Sequence, residues 1–519
     1  MRYQSIKSLI TILICIISFH VNLISCQIQS EVDYLKHIKQ FSHPIAPKYI
    51  NNTDHKNTHS DNNYQTKTNL DKIYGVSLGG WLVAEPWITP SLFDNIYHQY
   101  GTQPVDEYTL ATILGKNATK LYMENHWKTF YTEGDFQQIK AFGLNLVRIP
   151  VGYWAFGLLP NDPYVQGQEF YLDQALGWCQ KYNIQVLIDI HGMPGSQNGF
   201  DNSGLRTSDP SWLKYKQNLN LSYTILKYIF TKYGSPNSIY NSVINSIEVV
   251  NEPFAPIIDP AKVAEFYTYS YNTANTENVM SDMIYHDGFM GFGYWDWFMP
   301  NAAPGKVIID HHLYEIFSPQ QIAMTIDEHL ANIMAQGNQM SQEKHPRIVG
   351  EFSGALTDCT RYINGVGNGA RFNGTFQTNV VTGSCANHTD FALWSSELIN
   401  NTKRYLIAQF YTYETNSNGW IFWCFKTESA IEWDFKRLAA LGMLPSPLFR
   451  PRPQSQQQQQ NNNLKDIIKQ NQSISSLSSN FATKVFNYNS MLLIKDYDFF
   501  PKIIYTLFFT CFLFILNFI

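Results

Sequence analysis

The chain has 519 residues, of which 15% are charged and 15% aromatic, and it carries a net charge of −5. Such a composition is too apolar for a disordered chain and offers no basic face to a nucleic acid. Abundant aromatics with weak charge suit a protein that handles neutral, flat-faced ligands such as sugars, although aromatics also fill cores.

In chain order, Arg2 and Lys7 precede a short apolar run, 9–17, and a small-residue stretch that ends at Cys26. This pattern predicts a secretory signal peptide over 1–26. Residues 27–69 are polar and aperiodic and read as a flexible leader. Between 70 and 449, short β-branched runs alternate with longer amphipathic stretches. The predicted strands are "KIYGVSLG" from Lys72, "LNLVRIP" from Leu144, "IQVLIDIHG" from Ile184, "SIEVVNEP" from Ser246, "MIYHDGF" from Met283, "KVIIDHHLY" from Lys306, "RIVGEF" from Arg347 and "GWIFWCF" from Gly419. Helices are expected between most of them. One is "TEGDFQQIKAFG", with Thr132 as N-cap, Asp135 at the reciprocal capping position and Gly143 as its stop. Eight fully buried strands in βα alternation predict a single α/β domain, a closed (β/α)8 TIM barrel. An open doubly wound sheet shares the local pattern, but no Gly-rich phosphate loop follows the first strand.

Beyond the body, 450–502 is a Gln/Asn/Ser-rich tract that reads as a linker. The apolar segment 503–519 is about one bilayer thick, which leaves a membrane tail anchor or a signal exchanged for a glycolipid anchor. The protein is therefore expected to be secreted, with attachment at the cell surface through that tail, and to act as a monomer. Outside the two apolar ends remain Cys179, Cys359, Cys385 and Cys424. Cys359 and Cys385 can pair across their loop, or all four can be buried thiols. Sequons at Asn117, Asn220, Asn373 and Asn387 fit passage through the secretory route.

The ends of the predicted strands carry the chemistry. There stand Arg148, His191, Asn251 with Glu252, His286, His312 with Tyr314, Glu351 and Trp423. In a parallel barrel these ends converge on one rim, and buried charge there needs partners. Two carboxylates from the fourth and seventh strands, about 5 Å apart, suit a retaining glycosidase. One acts as acid and then base, with a pKa raised by its negative neighbour, and the other attacks the anomeric carbon. Asn251 can donate to the sugar 2-hydroxyl, Arg148 and Tyr314 can hold the nucleophile ionised, and Trp423 can stack under the ring. A metal site built from His191, His286, His311 and His312 is the competing reading. No pair of them has i, i+4 helical spacing, and no metal or other cofactor is expected.

The long motifs "GVSLGGWLVAEPWITPSLF", "FGLNLVRIPVGYWAF", "DIHGMPGSQNGFDNSG", "VVNEP", "DHHLYEIFSP", "GEFSGALTDCTRYINGVGNGARFNG" and "GWIFWCFKTESAIEWDFKRLAALGMLPSPL" span nearly the whole body. In them the chain resembles glycoside hydrolase family five, within it the fungal-type exo-β-1,3-glucanases. The resemblance implies Glu252 as acid/base and Glu351 as nucleophile. It implies Arg148, His191, Asn251, His312, Tyr314 and Trp423 as the remaining signature positions. By the same resemblance Glu85 holds the terminal sugar and closes the pocket, Phe200 and Phe317 form an aromatic clamp at its entrance, and Cys359 pairs with Cys385. The expected substrate is a β-glucan or β-glucoside oligosaccharide. The departures are Phe352, Phe425 and Ser429. Phe352 lies behind the nucleophile, while Phe425 and Ser429 are expected to alter the leaving-sugar side. A cell-wall β-glucan transglycosylase, a hydrolase of another β-glucoside and, last, a non-catalytic glucan-binding surface protein are the alternative functions.

Overall fold

The computed structural model describes residues 72–446, apart from 387, together with 448. The signal, leader, linker and tail predicted from the sequence lie outside the described residues, as does Asn387. Eight parallel strands close into one barrel in chain order: β1 (Ile73–Ser77), β2 (Leu146–Gly152), β3 (Gln185–Gly192), β4 (Ile244–Glu248), β5 (Asp282–His286), β6 (Ile308–His312), β7 (Arg347–Glu351) and β8 (Gly419–Phe422). Each predicted strand is found. The fourth is shifted: its ladder runs from Ile244 and ends at Glu248, while Val249 and Val250 continue buried outside it.

Helices return the chain between most strands, among them Gln168–Tyr182, Lys216–Ile229, Pro260–Thr276, Ile326–Met340 and Ser396–Asn416. The Glu133–Ala141 helix starts as the sequence predicts. The Thr132 N–H donates to the Asp135 carboxylate at 2.9 Å in a capping box, and Gly143 beyond its end adopts φ 83°. Between β5 and β6 there is only a 3-10 turn, Tyr294–Trp297. No helix among the described residues is long and apolar enough to cross a membrane.

Side chains alternate across a strand with period two, so residues two apart share a face. Along that face the interior rises in layers. Ile73, Leu146, Leu187, Ile284, Ile308, Ile348 and Ile421, one from each of seven strands, form an apolar plug. Two residues further on come Arg148, Asp189, His286 and Asp310, joined by Glu248 of β4, all fully buried. Two further still, on β3 and β6, stand His191 and His312. The plug excludes water from below, so every charge above it must find its partner within the barrel or in what enters from the rim.

Between β7 and the Ser396–Asn416 helix a long loop is closed by a disulfide between Cys359 and Cys385. Within it buried Asp358 accepts from the Arg371 and Phe372 backbone N–H groups at 2.7 and 3.0 Å. Cys179 and Cys424 are buried free thiols. The sequon residues Asn117 and Asn220 are exposed and Asn373 is half-buried.

Candidate active site

Arg148 organises the floor. Its Nη1 donates to Glu351 Oε1 at 2.7 Å, its Nε to Glu248 Oε2 at 2.9 Å and its Nη2 to Asn251 Oδ1 at 2.8 Å. Asp189 Oδ2 lies 3.1 Å from the same Nη2. One guanidinium thus serves three carboxylates and an amide, the planar fork for which Lys has no substitute. Because Asn251 gives its oxygen to Arg148, its Nδ2 is left facing away from the floor, buried and without a protein partner.

Glu351 ends β7, and its second oxygen accepts from the Tyr314 hydroxyl at 2.8 Å. Glu252 lies four residues past the end of β4 in a left-handed conformation, φ 44°. For a side chain with a Cβ this is strained, and it is held from both sides of the carboxylate. His312 Nδ1 is 2.8 Å from Oε1, and Asn202 Nδ2 donates to Oε2 at 2.8 Å. His312 Nδ1 is also 3.4 Å from Glu351 Oε2, so a single nitrogen stands between the two carboxylates.

The charges around His312 overturn one expectation from the sequence. Burial alone would raise the Glu252 pKa, but the hydrogen bond and charge of His312 outweigh it and draw Glu252 down to about 2. Glu351, pushed up by burial and by Glu252, is only partly relieved by His312 and Arg148. His312, facing Glu351, Asp310 and Glu252, is held well above the usual imidazole range. His312 thus holds its proton more firmly, and Glu252 less firmly, than either would in water, because an imidazole among three carboxylates gains more from charge than a carboxyl group does.

His191 Nδ1 donates to Asp189 Oδ2 at 2.6 Å, and its ring stacks on Trp423 with centroids 5.5 Å apart. Glu85 is buried beyond β1. One of its oxygens accepts from Trp87 Nε1 at 3.1 Å, and the other has no protein partner. Burial, together with Asp201 and Glu351, pushes Glu85 well above the carboxylate range. Phe200 and Phe317 are exposed, 42% and 43%, with Phe317 edge-on to Tyr314 at 5.7 Å.

Of the residues expected at the rim, Arg148 in β2 and His286 in β5 lie one layer below it, fully buried. Phe425 does not line the leaving-sugar side: it is fully buried against Tyr131 and Phe142 at 6.4 Å. Phe352 packs behind β7 against Phe410, Tyr413 and Phe422 at 5.2–5.3 Å. Sequence reasoning missed Asn202, Asp189, Glu248 and Asp310. The last three could have been found by stepping two residues back along a strand from the rim, or in β4 by taking the acid inside the apolar run.

Two groups bring metal-ligand atoms together, Glu252 with His286 and His312, and Glu248 with Asp310 and His312. Their hydrogen bonds disfavour an ion. The Gly288 N–H donates to His286 Nδ1 at 2.9 Å, which leaves the ring proton on Nε2, where a metal would need a lone pair. In the second group Glu248 and Asp310 stand beside the Arg148 guanidinium, whose positive charge opposes a further cation there.

Comparison with known proteins agrees with this architecture. The model of cellulase, glycosyl hydrolase family 5, matches residues 112–397. A glucan 1,3-beta-glucosidase of Yarrowia lipolytica is 45% identical over 379 residues, covering 73% of this chain and 89% of its own. Glucan 1,3-beta-glucosidase I/II of Saccharomyces cerevisiae is 46% identical over 392 residues, covering 73% and 86%. Among solved structures, AoRut aligns with a TM-score of 0.58 at 21% identity, over 73% of this chain and 98% of that one. A rutinosidase from Aspergillus niger aligns at 0.55 and 20%, over 72% and 97%. These two show a shared fold. With a matching family model over more than half its length and close relatives over nearly three quarters, the chain belongs to glycosyl hydrolase family 5.

Proposed function

We propose that this glycoside hydrolase is a retaining exo-β-1,3-glucanase that releases terminal β-D-glucosyl residues by double displacement. The observation that carries the reading is the pair of carboxylates across His312 Nδ1, 2.8 Å from Glu252 and 3.4 Å from Glu351. Those oxygens can be no farther apart than the sum of the two distances. Two carboxylates that share one nitrogen suit the roughly 5 Å spacing of a retaining pair better than the roughly 6.5–9.5 Å gap that an inverting pair leaves for its water. Glu351, fixed by Arg148 and Tyr314, attacks the anomeric carbon. Glu252 protonates the leaving oxygen and then activates water. His312 Nδ1, 2.8 Å from Glu252 Oε1, is placed to exchange a proton with it between the two steps.

Three buried polar atoms without protein partners, Glu85 Oε1, His191 Nε2 and Asn251 Nδ2, support a sugar as the missing partner. Their mixture of acceptors and donors suits hydroxyls, with Asn251 as the donor to the 2-hydroxyl. Glu85 closes the far end, Trp423 flanks the ring, and the exposed rings of Phe200 and Phe317 receive the next sugar. The names of the relatives support a β-1,3-glucan as substrate. Residues 70–449 form the catalytic domain. The disulfide fits an extracellular setting reached through the 1–26 signal, with 450–502 as linker and 503–519 as surface attachment.

Incubation with laminarin, followed by NMR and chromatography, tests this. Early β-glucose as the sole product is expected, and both Glu351→Gln and Glu252→Gln should lose most activity. Azide should restore turnover of Glu351→Ala with an inverted product. Full activity in either Gln variant would defeat the assignment, and longer products would move it towards transglycosylation.

A further inference from the structure

The start of the Glu107–Thr129 helix lies outside the reacting groups, yet its first residues reach two loops of the pocket. Glu107 is fully buried, and each of its oxygens takes one N–H donor. The Ala84 backbone N–H donates to Oε2 at 2.8 Å, and the Trp154 indole Nε1–H donates to Oε1 at 2.8 Å. Ala84 immediately precedes Glu85. Trp154 lies just past β2, and a Cβ on Gly152, Gly192 or Gly204 would run into its ring. Gly192 ends β3, and Gly204 ends the loop that carries Phe200, Asp201 and Asn202. The indole is thus a wedge between two strand ends and that loop, and Tyr164 stacks on its face at 4.3 Å.

The neighbours of Glu107 act on the same loop. Asp106 Oδ2 accepts from the Arg206 N–H at 2.6 Å, and the Tyr108 N–H donates to the Gly204 carbonyl at 2.9 Å. One helix terminus therefore grips the segment bearing Glu85 and the segment bearing Asn202, which in turn holds Glu252 at 2.8 Å. We propose that Glu107 is a positioning residue that fixes the Glu85 segment against Trp154 and so sets the closed end of the sugar pocket. This rests on the reading that Glu85 meets the terminal sugar.

The chemistry makes the claim specific. Two N–H donors face one group, and only a carboxylate offers an acceptor to both. In Glu107→Gln one donor meets an amide N–H, and the Ala84–Glu85 backbone or the indole must move away. Trp154→Phe keeps most of the ring against the glycines and removes the indole donor alone.

The test compares wild type, Glu107→Gln, Trp154→Phe and the double variant on 4-nitrophenyl β-D-glucopyranoside, whose one sugar fills only the terminal subsite, with laminarin in parallel. Thermal unfolding of each protein is measured alongside. In Glu107→Gln, KM for the aryl glucoside should rise about tenfold, the worth of one buried charge-assisted hydrogen bond, with a smaller fall in kcat. The double variant should be no worse than Glu107→Gln, because the unmatched donor is gone. An unchanged KM, with activity falling only as the folded fraction falls, overturns the proposal; so does full additivity of the two substitutions. Should Glu107→Gln not fold, Trp154→Phe alone decides by whether KM moves. A wild type that cleaves the aryl glucoside but not laminarin would refute the glucan reading while the Glu107 comparison is still read on the aryl substrate.

Discussion

Replacing Tyr314 by Phe exchanges one hydroxyl for a hydrogen and leaves the rest of the ring in place. The ring keeps its packing, edge-on to Phe317 at 5.7 Å and tilted on Trp433 at 5.1 Å. What is lost is the 2.8 Å hydrogen bond to Glu351 Oε2, after which the nearest donor to that oxygen is His312 Nδ1 at 3.4 Å. A hydrogen bond to a charged acceptor is worth about 1.5–3 kcal/mol. The hydroxyl favours the ionised carboxylate, so its loss should raise further a Glu351 pKa that burial has already lifted. The nucleophile must be ionised to attack. The acid limb of kcat/KM should therefore shift upward in Tyr314→Phe, with roughly a ten- to hundredfold loss on its acid side and much less near neutrality. The assay is kcat/KM for the aryl glucoside from pH 3 to 8, with thermal unfolding at each end. An acid limb at the wild-type position, in a folded variant, would refute the idea that Tyr314 keeps Glu351 ionised.

Other outcomes follow from the buried charges and the cross-link. His311 lies between Asp287 at 2.9 Å and Glu343 at 3.0 Å, and these carboxylates raise it to about 9. A raised folded pKa gives stability that is complete below the unfolded value, about 6.5, and is lost as pH rises through 9; the shift corresponds to roughly 3 kcal/mol. Urea unfolding at pH 6, 8 and 9.5 should thus show a pH dependence that is flatter in His311→Gln, and an identical slope in both proteins would count against the pairing. Removing the Cys359–Cys385 bond, which spans 26 residues, should cost about 3–4 kcal/mol on chain-entropy grounds. Double substitution to Ser with urea titration measures it, and a cost below about 1 kcal/mol would mean the loop is ordered mainly by contacts such as Asp358 with Arg371. Asn202→Ala should raise the Glu252 pKa by removing a hydrogen bond to its charged form and should slow turnover about tenfold; unchanged kcat would separate Asn202 from the acid/base step.

The chain by itself determined the barrel and most of the rim. Strands buried on both faces read as continuous β-branched runs whatever their neighbours, and the polar residue that ends such a run has to face the open end of the barrel. Glu351, His191, His312 and Trp423 were legible for that reason, as was Thr132 with Asp135 at a helix start. The disulfide followed from resemblance, not from spacing. Only the folded molecule decided which charges meet. Arg148 finds Glu248 a hundred residues away and Glu351 two hundred and three away, and no periodicity in one strand announces its partner in another. The low pKa of Glu252 has the same origin: its sequence neighbours are Asn251 and Pro253, while the imidazole that holds it ionised arrives from β6, sixty residues on. Asn202 and Glu107 were hidden more deeply, because they act through loops, where position depends on what the barrel brings alongside. Local pattern determines which face a side chain takes; electrostatics depends on distances in space, and those exist only once the eight strands have closed.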